Sequence, residues 1–109
     1  VKDHEIIDVI GEAAAVALAE ECAGVRLYVP AKVTDDHVIT RAIGRAAAEK
    51  LSAFYSPTTI HVPLLRRLRA ERLRQAGLSN AKIAVRLGMT ENGVEKIFAR
   101  RRASEGARA

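Results

Sequence analysis

The stretch Leu78 to Arg102, LSNAKIAVRLGMTENGVEKIFARRR, decides the architecture of the C-terminal half. Ser79 can cap a first helix whose apolar side is Ile83, Ala84 and Leu87, and Gly88 supplies the left-handed backbone position that ends it. Thr90 then caps a second helix. That helix carries Val94, Ile97 and Phe98 inward at helical spacing and leaves Glu91, Asn92, Glu95, Lys96 and Arg100 outward. Only Gly88-Met89-Thr90 lies between them. A turn that short makes the two helices cross steeply, so a small residue is required at the crossing, and Ala84 stands there. Gly88 follows four positions later, Val94 ten later and Ile97 thirteen later, the spacing of DNA-binding helix-turn-helix units. A ligand-free helical hairpin shares the same Ala and Gly logic and stays open as the alternative.

Charge separates this half from the rest. From Val1 to Pro63 six Lys/Arg stand against nine Asp/Glu, a net −3; from Leu64 to Ala109 twelve stand against four, a net +8. A basic half joined to an acidic one is the electrostatic outline of a nucleic-acid reader carried on another module. An anionic membrane surface would satisfy the charge alone. However, the Arg residues between 66 and 74 are interrupted by Leu64, Leu65, Leu68 and Leu73 in a core-helix pattern, which favours DNA. Leu64 to Gln75 therefore reads as a helix with Pro63 in its first turn, where a missing N–H costs nothing. With the two helices that follow, it makes a three-helix bundle of about 40 residues.

The N-terminal half repeats itself. IGEAAAVALAEECAGVRLYVP (10–30) and IGRAAAEKLSAFYSPTTIHVP (43–63) are identical at eight of 21 positions at an offset of 33, with matching Ile-Gly openings and Val-Pro endings. Each copy reads as a helix followed by a short strand. The first helix runs from Asp3 to about Glu21 with Ile6, Ile7, Ile10, Ala13, Ala14, Ala17 and Leu18 inward. The second is capped by Thr34 or Asp35 and turns Val38, Ile39, Ala42, Ile43, Ala46, Ala47, Leu51 and Phe54 inward. The strands are Val25–Val29 and Thr58–Val62, alternating with period two. Gly11 with Ala14 and Ala15, and Gly44 with Ala47 and Ala48, place small residues one turn apart, where helices can approach closely. Strands this short need a partner edge. Within one chain the helical crossover would make them parallel; alternatively they pair across a twofold axis and intertwine two subunits.

The expected fold is mostly α with short β-strands. A dimerisation region of two helix-strand repeats (1–62) precedes a helix-turn-helix domain (63–102) and a tail without periodicity (103–109). Four aromatic residues and no Trp among 109 residues leave a thin core, so oligomerisation is expected. Cys22 is alone, which rules out an internal disulfide framework, points to a reducing compartment and reads as a small buried filler. No apolar run reaches the ~20 residues of a membrane span, and a cytoplasmic location is expected.

The Ile-Gly-x-Ala-Ala-Ala helices, the strands ending Tyr28-Val29-Pro30 and His61-Val62-Pro63, and the C-terminal helix-turn-helix resemble the Mor transcription activators of Mu-like phages over almost the whole chain. The resemblance implies an intertwined homodimer with two DNA-binding units. It also implies binding to an imperfect inverted repeat in a phage promoter and engagement of host RNA polymerase. In that family the strand before the helix-turn-helix is implicated in DNA contact; here that strand is Thr58–Val62, and Pro57 and His61 depart from the Gly-rich, Tyr-containing pattern.

Base reading is assigned to Thr90, Glu91, Asn92, Glu95 and Lys96: Asn pairs with adenine, Glu accepts from cytosine and Lys reaches guanine. Ser79, Asn80 and Lys82 at the start of the first motif helix, with Arg86 at its end, and Arg100, Arg101 and Arg102 on the second, are assigned to phosphate and flanking contacts. Arg66, Arg67, Arg69, Arg72 and Arg74 circle their helix, so only two or three of them can face DNA. His4, His37 and His61 lack metal-ligand spacing, no acid pair has a neighbouring nucleophile, and no phosphate loop is present. The expectation is therefore no catalytic site, no metal and no cofactor. The rival readings are a repressor or architectural factor, the DNA-binding end of a recombinase, and a dimerisation adaptor that binds no nucleic acid.

Overall fold

A computed structural model describes residues 2–108, and the side chains through residue 100. The elements in chain order are α1 (Asp3–Ile10), α2 (Glu12–Cys22), β1 (Arg26–Val29), α3 (Val38–Ile43), α4 (Arg45–Tyr55), β2 (Thr58–His61), α5 (Arg66–Gln75), α6 (Asn80–Leu87) and α7 (Glu91–Arg108). The chain is thus mostly helical with one two-stranded sheet, and it divides into two compact units, Val1–Leu65 and Arg66–Ala109. None of the described helices is long and apolar enough to cross a membrane.

The first unit differs from the sequence expectation at the glycines of the repeat. Each long helix is two helices. Gly11 (φ 86°, ψ 159°) ends α1 and opens α2, and Gly44 (φ 85°, ψ 166°) does the same between α3 and α4. This is a backbone region that only glycine occupies without strain. The break keeps the hydrogen bonding closed on both sides. The Gly11 N–H donates to the Ile7 carbonyl while its own carbonyl accepts from the Ala15 N–H, and Gly44 makes the corresponding bonds with Thr40 and Ala48. A Cβ built on either glycine would meet nothing within 4 Å, so these glycines serve the kink and not a close helix approach.

The break also resets the helical phase. After Gly11 the buried positions are Ala15, Val16, Leu18, Ala19 and Cys22, in place of Ala13, Ala14 and Ala17. In the second copy Ala48, Leu51 and Ser52 are buried, while Val38 and Phe54, expected inside, stand at the surface. The cap of α3 is His37, whose Nδ1 accepts from the Ile39 N–H at 3.1 Å; the helix begins later than a cap at Thr34 or Asp35 would place it.

The two strands pair with each other within the chain, and they pair antiparallel, with Arg26 opposite His61, Leu27 opposite Ile60, Tyr28 opposite Thr59 and Val29 opposite Thr58. Parallel pairing was the expectation for a single crossover helix. The connection instead holds two helices bent at Gly44, and it brings β2 back in the opposite sense. Leu27 and Ile60, facing each other, are also equivalent residues at the offset of 33. In the same way α1 packs on α4 and α2 on α3, each helix against the non-equivalent helix of the other copy. This is the contact pattern of a local twofold lying inside one chain. The core follows it: Ile6 with Ile39, Ala15 with Ala48, Leu18 with Leu51, Leu27 with Ile60 and Val29 with Val62 are equivalent pairs, and every member is buried. Where the copies differ, Ser52 replaces the apolar Ala19, and its hydroxyl lies 2.7 Å from the Pro30 carbonyl and 2.9 Å from that of Ala31, tying α4 to the chain leaving β1.

In the second unit, α5 starts at Arg66 because Leu65, buried and at φ 49°, interrupts the backbone after Pro63. Pro63 is therefore not in its first turn. α7 runs on through Arg108, past the point where the apolar periodicity ends.

Candidate nucleic-acid interface

The second unit is assembled on a small core of Ala70, Ile83, Ala84, Val94 and Phe98, with Leu73, Leu78, Leu87, Met89 and Ile97 packed around it. Ala84 sits where α6 meets its neighbours and is 5% exposed, so a larger side chain there would force the helices apart. Ser79 caps α6: its hydroxyl accepts from the Lys82 N–H at 3.3 Å. Gly88 (φ 65°, ψ 36°) ends α6 in the left-handed conformation, and the Met89 N–H reaches back to the Ala84 carbonyl at 2.9 Å, the reciprocal bonding of a Schellman ending. Thr90 then caps α7, its Oγ1 accepting from the Gly93 N–H at 3.0 Å. Because the left-handed Gly88 and the Thr90 cap fall within three positions of each other, the direction of α7 relative to α6 is set locally, before any packing is counted.

Val94 and Phe98 are buried and Ile97 half-buried on one side of α7; Glu91, Asn92, Glu95, Lys96 and Arg100 are exposed on the other. A polar pocket of about 440 Å³ brings Asn80 at the start of α6 together with Asn92, Glu95 and Lys96 of α7 and with Arg74 of α5. Arg74 lies with its guanidinium 4.3 Å from the centroid of the Phe98 ring, a cation–π contact that holds its charge at the mouth of this pocket. The Oδ1 atom of Asn80 is buried without a hydrogen-bond partner, so one amide acceptor in the pocket is unspent.

Four of the assigned residues, Asn80, Asn92, Glu95 and Lys96, therefore converge. Lys82 and Arg86 are exposed one turn apart on α6, outside the pocket, and Glu91 and Arg100 are exposed along α7. Ser79 and Thr90 are exposed but already use their hydroxyl oxygens as caps. Arg101 and Arg102 lie on α7 with side chains outside those described. Arg69 departs from the expected ring of surface arginines, being 8% exposed.

Two residues were not singled out in sequence. Arg74 acquires its place from the tertiary contact with Phe98, 24 positions away, which no local pattern reveals. Gly93 leaves room for the first turn of α7: a Cβ there would come within 3.2 Å of Met89 Cε and Thr90 Oγ1. A glycine one turn after a capping Thr, inside a helical pattern, was the available signal.

Elsewhere, Cys22 is buried in the first unit, and burial first, then the neighbouring Glu21 charge, pushes its thiol above the ordinary value. No group of three His, Cys, Asp or Glu able to hold a metal is found among the described residues. Comparison of the chain with protein families, with curated proteins and with solved structures finds no match.

Proposed function

We propose that the chain is a sequence-specific DNA-binding transcription regulator, a phage or prophage activator of the Mor type that binds an inverted-repeat promoter element as a homodimer in the cytoplasm. The observation that carries the reading is the division of α7. Val94, Ile97 and Phe98 anchor one side on α5 and α6, and the other side presents Glu91, Asn92, Glu95 and Lys96 together, outside a short Gly88-Met89-Thr90 turn. A helix so anchored by one side can enter the major groove with the other. Asn92 then pairs with an adenine edge, Lys96 reaches guanine O6 and N7, and Glu95 accepts from a cytosine amine. Lys82, Arg86 and Arg100 meet phosphates and set the register without reading sequence. The net +8 from Leu64 to Ala109 supports the same partner. Engagement of RNA polymerase and activation rest on the resemblance to the Mor family.

Binding to a labelled duplex across a salt series tests the reading. Three phosphate contacts per subunit, by Lys82, Arg86 and Arg100, make six in the homodimer and give a slope of about −5.4 in log K against log salt, or roughly 2,000-fold weaker binding at 200 mM than at 50 mM. Affinity that does not change with salt removes the proposal.

A further inference from the structure

The local twofold makes two grooves of the first unit equivalent, and they have diverged. One lies between α1 and α4, lined by Glu5, Asp8, Val9, Lys50, Ala53 and Phe54. Its counterpart at the offset of 33 includes Glu21, Val38, Arg41 and Ala42. The core pairs of the two copies are matched in kind, whereas Phe54 corresponds to Glu21 and Asp8 to Arg41. Phe54 is 68% exposed and sits edge-on to Tyr55 with ring centroids 5.0 Å apart. An aromatic ring that exposed, in a groove floored by Val9 and Ala53, is an apolar patch without a cover.

The charges of the groove identify its occupant. Its α1 wall carries the acids Glu5 and Asp8 beside His4, and its α4 wall carries Lys50. Neither Asp8 nor Lys50 has an ion pair among the described residues. A surface with an acidic wall, an apolar floor and a basic wall is complementary to its own image turned about a twofold: each α1 meets the other α4. We infer that this groove is the dimer surface of the protein and that its partner is a second copy of the same chain. Phe54 packs across the axis, and Asp8 faces Lys50 of the second copy. Since β1 and β2 already pair within one chain, the subunits associate side by side, without exchanging strands. This face is that of the homodimer in the function proposed above, and its formation does not depend on the DNA contact.

Sedimentation equilibrium of the chain and its variants tests it. The wild type should be a dimer at micromolar concentration. Phe54→Glu should be monomeric with an unchanged circular-dichroism spectrum, because the ring contributes little to the fold of one chain. Asp8→Lys and Lys50→Glu should each weaken self-association at least tenfold, since each homodimer then sets like charges together twice. Mixing these two variants is the decisive arm. In the mixed dimer the introduced lysine meets the introduced glutamate, and the retained Lys50 of one chain meets the retained Asp8 of the other, so heterodimers should form in preference to either homodimer. A monomeric wild type, a dimeric Phe54→Glu, or a mixture no tighter than the separate variants overturns the inference. Duplex binding measured on the same samples decides the DNA reading separately, because a monomer that binds DNA loses only the dimer face.

Discussion

Replacing Gly11 or Gly44 by Ala sets two accounts of the first unit against each other with opposite signs. In a continuous helix, Gly to Ala stabilises by roughly 0.5–1 kcal/mol, because Ala loses less backbone freedom on folding. At φ 86° and ψ 159° for Gly11, and φ 85° and ψ 166° for Gly44, the backbone is in a region essentially closed to other residues. Holding a side-chain-bearing residue there costs on the order of 1–3 kcal/mol. No atom lies within 4 Å of the added Cβ at either site, so no clash or cavity term enters and the whole effect is backbone strain. The two substitutions should then cost about the same, since the local twofold puts them in equivalent settings. For a unit of this size each kcal/mol lowers Tm by about 4–8 °C. Both tyrosines, Tyr28 and Tyr55, lie in the first unit, so intrinsic tyrosine emission followed through urea unfolding reports on that unit. Stabilisation by either alanine would refute the kinked-helix account.

Three further outcomes follow from particular groups. Burial raises the Cys22 thiol above its ordinary 9.0, and burial followed by the Glu5 charge raises the Tyr55 hydroxyl above 10.0. Both groups are thus kept protonated by folding, so the stability they contribute is fully present below pH 9.0 and is lost as pH rises through their folded values. Urea midpoints should hold from about pH 7 to 8.5 and fall above about pH 9, with Cys22→Ala removing part of the fall. Thr40, 9% exposed, buries a hydroxyl without a partner where the first copy has Ile7, so Thr40→Val should stabilise the unit by about 1 kcal/mol in the same titration. Asn92→Ala or Lys96→Ala should each relax base preference at one position by roughly 1–3 kcal/mol while leaving the salt slope of Asn92→Ala unchanged; competition binding with single-base variants of a selected duplex measures it.

What could be read in sequence was whatever is settled by near neighbours. Ser79 as a cap, Gly88 in the left-handed conformation, and Ala84, Val94 and Phe98 as buried positions are consequences of residues within about one turn of each other. The alternation of Leu27 and Val29 inward with Arg26 and Tyr28 outward was legible for the same reason. The kinks at Gly11 and Gly44 were hidden because apolar residues continue on both sides and mimic one uninterrupted stripe. Missing them misplaced the phase beyond each glycine, and that error put Phe54 in the core when it belongs to the surface. Strand direction depended on the path of the 28-residue connection from Pro30 to Pro57, which has no local signature. Arg69 and Arg74 look alike in an arginine-rich helix, and only packing distinguishes the buried one from the one laid over Phe98.

The repeat gives the chain a twofold of its own, so the acidic first unit can complete its sheet without a partner, and the basic second unit keeps one anchored helix with a polar outer side. Selection of bound duplexes from a random pool by the chain tests the central claim most directly. A helix-turn-helix homodimer should enrich a defined sequence arranged as an inverted repeat, lost position by position in Asn92→Ala and Lys96→Ala. A pool that emerges from selection as random as it entered would contradict it.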